Sequence, residues 1–186
     1  MSKNSQAPEQ FAAYIQALKH YYNCADDTTF AHRSGCMGVG GGGFNIEEKD
    51  TKRSPKLICG IDMDKLQPNP QDKKCDDVFI ILHATDSTTT QLRYCCFVEL
   101  KKGNNFDKAY KQILTSIKEF RDAFQKYAHV ENGEDIKLPN QKVIGLIGGG
   151  ISGINSTTLN NMREEFKKKH GLVLAKISER TYTLPN

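Results

Sequence analysis

The spacing of apolar positions changes several times along the chain, and each change marks an element. Residues 8–22, PEQFAAYIQALKHYY, bring Phe11, Tyr14, Ile15, Leu18 and Tyr22 to one side at helical spacing, with Pro8 suited to a first turn. A polar, glycine-containing stretch that includes GVGGGG (38–43) reads as a loop, and KLICGIDM (56–63) reads as a strand. DVFIIL, Asp77 to Leu82, is a short apolar run rich in β-branched side chains, the pattern of a strand buried on both faces. After the turn-like ATDSTTTQ (84–91), LRYCCFVEL (92–100) predicts the next strand. From about Asn105 to Tyr127, an apolar stripe of Phe106, Ala109, Tyr110, Ile113, Leu114, Ile117, Phe120 and Phe124 predicts a helix, capped by Asn104 or Asn105. KVIGLIGGG (142–150) predicts a fourth strand that runs into a glycine turn. Ser156 or Thr157 is expected to cap a helix ending near His170 and Gly171, and LVLAKI (172–177) predicts a fifth strand.

The order is helix, three strands, helix, strand, helix, strand. It predicts one α/β domain over residues 1–186, with a central mixed sheet flanked by helices. The length of 186 residues suits a single core of that kind. No apolar run approaches the length of a membrane span, and MSKNSQAPEQ lacks the apolar centre of a signal peptide, so a cytoplasmic protein without a membrane partner is expected. The six cysteines form no C-x-x-C pair, and several sit inside apolar runs as small core residues, so a structural role is expected of them. A net charge of +4 permits a polyanionic partner without requiring one.

The chemistry concentrates around the strands on either side of ATDSTTTQ. They are close in sequence, so an antiparallel hairpin is their simplest arrangement. If the turn centres near Ser87 or Thr88, the numbers of paired residues add to about 175 or 176. Asp76 then lies opposite Glu99 or Leu100, and in the second case Asp77 lies opposite Glu99. In either register, CDD at the start of one strand meets ELK at the end of the other. Glu99 and Lys101 share a strand face because side chains alternate. Two carboxylates held close repel each other, and a hard divalent cation relieves that repulsion. The expected site therefore joins Asp76 and Glu99 to Mg²⁺ or Mn²⁺, with Lys101 positioned to neutralise charge developing on a phosphoryl group.

KKCDDVFIIL followed by CCFVELKKGNNFDKAYKQI resembles the PD-(D/E)XK, or restriction-endonuclease-like, nucleases. Asp76 matches the motif acid, with Asp77 a second candidate at that step. Glu99 and Lys101 match the E-x-K pair, and Gln112 matches the glutamine of the following helix. The resemblance implies an αβββαβ core with a central mixed sheet, and a Mg²⁺- or Mn²⁺-dependent nuclease in which Gln112 positions the water or the lysine. Cys75 stands where the family name has proline. For the upstream acid that some members add, the first helix offers only Glu9, and Glu48 is assigned the role. The Q-x-x-x-Y pattern of RecB-like members is absent, because Ser116 stands where the tyrosine would be.

Lys102, Lys108 and Lys111 flank the motif and are candidate contacts to a nucleic-acid backbone. The expected partner is nucleic acid, DNA ahead of RNA, with a protein partner or a second copy selecting the target. Bacterial restriction or antiviral defence is the preferred setting, and repair or junction processing comes next. The rival class is a non-catalytic scaffold or nucleic-acid-binding subunit that keeps the same fold. Two glycine-rich signals carry less. GVGGGG lacks the preceding strand and following helix that a dinucleotide loop requires, and IGGGISG lacks the Lys-Ser/Thr of a P-loop.

Overall fold

A computed structural model of the chain describes residues 9–24, 30–31, 35–37, 43–47, 56–66, 74–84, 90–127, 137–150, 153–177 and 181–185. Helix α1 (Glu9–Tyr22) is followed by the short strands β1 (Phe30–Ala31), β2 (Gly35–Met37) and β3 (Gly43–Glu47). Then come β4 (Lys56–Asp62), the single turn α2 (Met63–Leu66), β5 (Asp77–Ala84), β6 (Thr90–Leu100) and the long helix α3 (Phe106–Tyr127). The chain continues through β7 (Val143–Gly148), α4 (Ser156–Lys169), β8 (Val173–Lys176) and β9 (Thr181–Thr183). Six strands form one sheet in the order β1-β4-β5-β6-β7-β8, and β2-β3-β9 form a second.

The main sheet is mixed. β4, β5 and β6 pair antiparallel, whereas β6, β7 and β8 run parallel. The parallel half needs a crossover between each pair of strands, and α3 and α4 supply them. Crossovers that step the same way along a sheet carry their helices to the same face. Accordingly α1, α3 and α4 all contribute to one buried cluster, in which Leu18, Val78, Phe97, Phe120 and Phe166 meet. Phe120 lies at the centre of its aromatic part, with Phe97 at 5.2 Å and Phe124 at 5.8 Å between ring centroids. The opposite face buries Phe79, Ile81, Val98 and Ile144 with Ile46 of β3 and Leu184 beyond β9. The helices flank one face of the sheet, and strands cover the other.

Short strands appear where the sequence reads as loop. β2 and β3 bracket the glycine run, whose residues 38–42 lie outside the described ones, and β3 pairs parallel with β9. Strands of two to five residues in glycine- and polar-rich sequence carry too little alternation to be read. The cap of α4 also differs. Asn155, not Ser156 or Thr157, accepts from the Thr158 N–H at 2.7 Å. At the far end of α4, Arg121 of α3 donates to the His170 carbonyl at 2.6 Å, which binds the two crossovers together. Cys59, Cys75, Cys95 and Cys96 are buried; the apolar runs around Cys59, Cys95 and Cys96 predict this, whereas Cys75 lies in the polar KKCDD. No described helix is long and apolar enough to cross a membrane.

Because Phe120 is fully buried between three aromatic neighbours, Phe120→Ala is expected to lower unfolding stability by about 3–5 kcal/mol, read from urea denaturation.

Candidate active site

The antiparallel ladder of β5 and β6 settles the register at its functional end. Asp77 pairs with Val98, Val78 with Phe97 and Ile81 with Tyr94, all adding to 175. Asp76 is thereby set opposite Glu99. A bulge at Arg93 shifts the pairing, so that beyond it Leu82 meets Leu92 and His83 meets Gln91. Asp76 is laced to β6 twice. Its N–H donates to the Val98 carbonyl at 3.0 Å, and its Oδ2 accepts from the Leu100 N–H at 2.7 Å. Its carbonyl accepts from the Met63 N–H at 3.1 Å, which ties it to the first residue of α2.

Glu99 continues the buried run that begins at Tyr94. It is 0% exposed, on the face it shares with Cys95 and Phe97. The Lys101 ammonium ion-pairs with its Oε1, and among the described residues its Oε2 has no hydrogen-bond partner. Burial pushes the Glu99 carboxyl up to about 7, the Asp76 charge adds to the rise, and Lys101 opposes it without cancelling it. Burial also raises Asp76, against the Leu100 N–H and Lys101, with Asp64 and Asp62 adding to the rise. Burial alone would lower Lys101, but the hydrogen bond and charge of Glu99, with Asp76 and Asp64, hold it above the ordinary lysine value. The lysine stays charged while the two acids resist charging.

Such a set is short of positive charge. Among the described residues two partly desolvated carboxylates share one ammonium, and one carboxylate oxygen has no hydrogen-bond partner. A hard divalent cation fits that deficit. Among the described residues no three of His, Cys, Asp and Glu converge as a metal cluster. Asp76 and Glu99 would hold such an ion together with water and ligand oxygens, a common arrangement for Mg²⁺.

The remaining candidates divide. Asp77 is buried, but alternation puts it with Phe79 and Ile81 on the other face, opposite Asp62 of β4. It is not brought to the Asp76–Glu99 pair, and between the two acids the register selects Asp76. Glu48 lies outside the described residues. Gln112 is buried, yet its Nε2 donates to the Lys74 carbonyl at 2.6 Å, so its donor is taken up by the main chain two residues before Asp76. Lys102, Lys108 and Lys111 are exposed near the start of α3. Asp64, exposed in α2, was not among the expected residues, though its charge reaches Asp76 and Lys101. The signal was present in IDMDK, two acids where β4 ends beside β5.

Lys101 is also fixed from β7. Its N–H donates to the Gly148 carbonyl at 2.8 Å. Gly149 then turns with φ 89°, and a Cβ there would lie 2.8 Å from the Lys101 carbonyl oxygen and 2.9 Å from its nitrogen. Glycine is required at this position both for the backbone angle and for the close approach. No family model matches the chain, and no curated protein or solved structure matches it.

Two outcomes are expected. Gly149→Ala should lower stability by roughly 1–3 kcal/mol in urea denaturation, because it strains the backbone at Lys101. The second concerns pH. A carboxyl whose folded pKa of about 7 exceeds its ordinary 4.5 favours the folded state below pH 4.5 and loses that contribution as pH rises towards 7. In metal-free buffer, Glu99→Gln should therefore be more stable than wild type at pH 8 by up to about 3 kcal/mol, and the gap should close as pH falls towards 4.5. Parallel urea titrations at the two pH values check this.

Proposed function

We propose that the chain is a metal-dependent nuclease of the PD-(D/E)XK, restriction-endonuclease-like kind, hydrolysing phosphodiester bonds in DNA ahead of RNA. The observation that carries this reading is the fully buried Glu99 carboxylate, beside Asp76 and ion-paired with Lys101, with one oxygen that has no hydrogen-bond partner among the described residues. A salt bridge that served only the fold would match one acid to one base. Here a second acid is laced opposite the first, which raises the electrostatic cost unless a cation joins them. The order of a helix, β4, β5, β6, α3 and β7, with the acid entering β5 and Glu-x-Lys leaving β6, supports the same reading.

In this reading Asp76 and Glu99 hold Mg²⁺ or Mn²⁺. When bound, such an ion supplies Lewis acidity towards a phosphoryl oxygen and lowers the pKa of a water. Lys101, kept protonated by its acidic neighbours, neutralises negative charge that grows on the phosphoryl group. Glu99 must shed its proton before it can act as a ligand, so metal affinity rises with pH through about 7. Lys102, Lys108 and Lys111 contact backbone phosphates and make binding salt-sensitive. Restriction or another antiviral defence in bacteria is the favoured setting. Target choice then comes from a partner protein or a second copy of the chain.

The test is cleavage of plasmid, linear and single-stranded DNA and of RNA with Mg²⁺ or Mn²⁺. Asp76→Ala, Glu99→Ala and Lys101→Ala are each expected to reduce cleavage by on the order of 10²–10³-fold with the fold retained by circular dichroism. Full activity in Glu99→Ala would refute the mechanism. Silence on every substrate, with no Mn²⁺ effect on melting, would favour a non-catalytic scaffold instead.

A further inference from the structure

The two residues that lead into Asp76 are held by one polar line on α3. Gln112, Ser116 and Glu119 follow each other at helical spacing, and Gln112 and Ser116 are buried within an otherwise apolar face. Gln112 Nε2 donates to the Lys74 carbonyl at 2.6 Å. The Cys75 N–H donates to Ser116 Oγ at 3.0 Å, and that hydroxyl donates in turn to the Gln112 carbonyl at 3.1 Å. The Lys74 ammonium, on a side chain 5% exposed, pairs with Glu119 Oε2 at 2.7 Å. The same oxygen accepts from the Tyr22 hydroxyl at 2.7 Å, and the ammonium lies 4.6 Å from the centre of the Tyr22 ring. Burial raises the Tyr22 hydroxyl far above its ordinary value, and its bond to Glu119 adds to the rise, so it remains a donor.

This is a large polar investment for a segment of two residues. Burying a lysine costs free energy that its ion pair at best offsets, and an apolar residue of similar size would fill the space without that cost. What the arrangement gains is a main chain held at several points. Lys74 is gripped at its carbonyl and its side chain, and Cys75 at its N–H. The next residue is Asp76, whose N–H and carboxylate are fixed from the opposite side by Val98 and Leu100.

The geometry points to the Gln112–Ser116–Glu119 line as a clamp that positions the Asp76 carboxylate opposite Glu99 for binding a divalent cation. The inference rests on Asp76 and Glu99 being metal ligands, and it makes all three α3 residues positioning residues. Gln112 then acts on the approach to the acid rather than on water or Lys101. It also gives Ser116 a function at the position where a tyrosine would complete Q-x-x-x-Y. A large side chain there would leave the Cys75 N–H without its acceptor. Through Tyr22 the C-terminal end of α1 joins the same support.

Calorimetric titration with Mn²⁺ alone, well below each protein's melting temperature, tests the clamp. Ser116→Ala removes the two hydrogen bonds of that hydroxyl, and Glu119→Gln removes the charge that pairs with Lys74, both with little change of volume. Each is expected to raise the Mn²⁺ concentration for half-saturation by about tenfold or more, while metal-free unfolding stays cooperative. Asp76→Ala should abolish the binding, and Lys118→Ala on the exposed side of α3 should leave it unchanged. If Ser116→Ala and Glu119→Gln both titrate like wild type while Asp76→Ala has lost binding, the clamp is refuted and the metal reading stands. If Asp76→Ala also titrates like wild type, the metal reading fails and the clamp fails with it. Should Glu119→Gln not fold, Ser116→Ala alone decides.

Discussion

A carboxylate withdrawn from water is stable only if a proton, a counter-charge or donated hydrogen bonds replace its lost hydration. Glu99 is in that position, at the end of six consecutive buried residues in the central strand. Among the described residues it has one ammonium on one oxygen and no hydrogen-bond partner on the other. The parts around it follow from that constraint. Lys101 must return to the same face, so the strand keeps its alternation beyond the last paired residue. The chain of β7 must run close over Lys101, so Gly148 is followed by a glycine in the left-handed region. Asp76 must be held against its neighbour's charge, so both sides of its backbone are anchored.

The two halves of the sheet contribute different things. The antiparallel β5–β6 pair brings the acids together through contacts close in sequence, and its register alone decides which acid faces Glu99. The parallel half contributes the supporting helix. α3, the crossover from β6 to β7, packs across the face that carries Glu99, and its polar line reaches the residues before Asp76. One helix therefore serves both the apolar core and the site, without two separate surfaces for the two tasks.

Much of this was legible in the sequence. DVFIIL and LRYCCFVEL are strands because long β-branched and aromatic runs leave little alternative, and the pairing sum of 175 was within the expected range. The stripe of α3 was legible for the same reason, since a long periodic segment averages out local exceptions. The exceptions themselves carried information that periodicity discards. Gln112 and Ser116 fall on the buried side of α3, and a polar residue at a core position needs a partner. What no pattern within α3 names is that partner, the backbone of Lys74 and Cys75, about forty positions earlier. The short strands β1, β2, β3 and β9 were illegible because their pairing is set by tertiary contact, not by their own composition. Asp77 was left open beside Asp76 only because the register was open by one residue, and a shift of one reverses every face.

The bulge at Arg93 gives the hairpin a freedom that a regular ladder lacks. On its outer side the pairs add to 174, and on its inner side to 175, so one residue of slack is absorbed before the ladder reaches Asp76 and Glu99. In an unbroken antiparallel pair, gaining or losing one residue near the turn would rotate all the downstream side chains by half a turn and send Glu99 to the wrong face. With a bulge in between, such a length change can be taken up where the extra residue already sits. A one-residue insertion engineered into the outer ladder is thus expected to be absorbed there while the acid pair keeps its register.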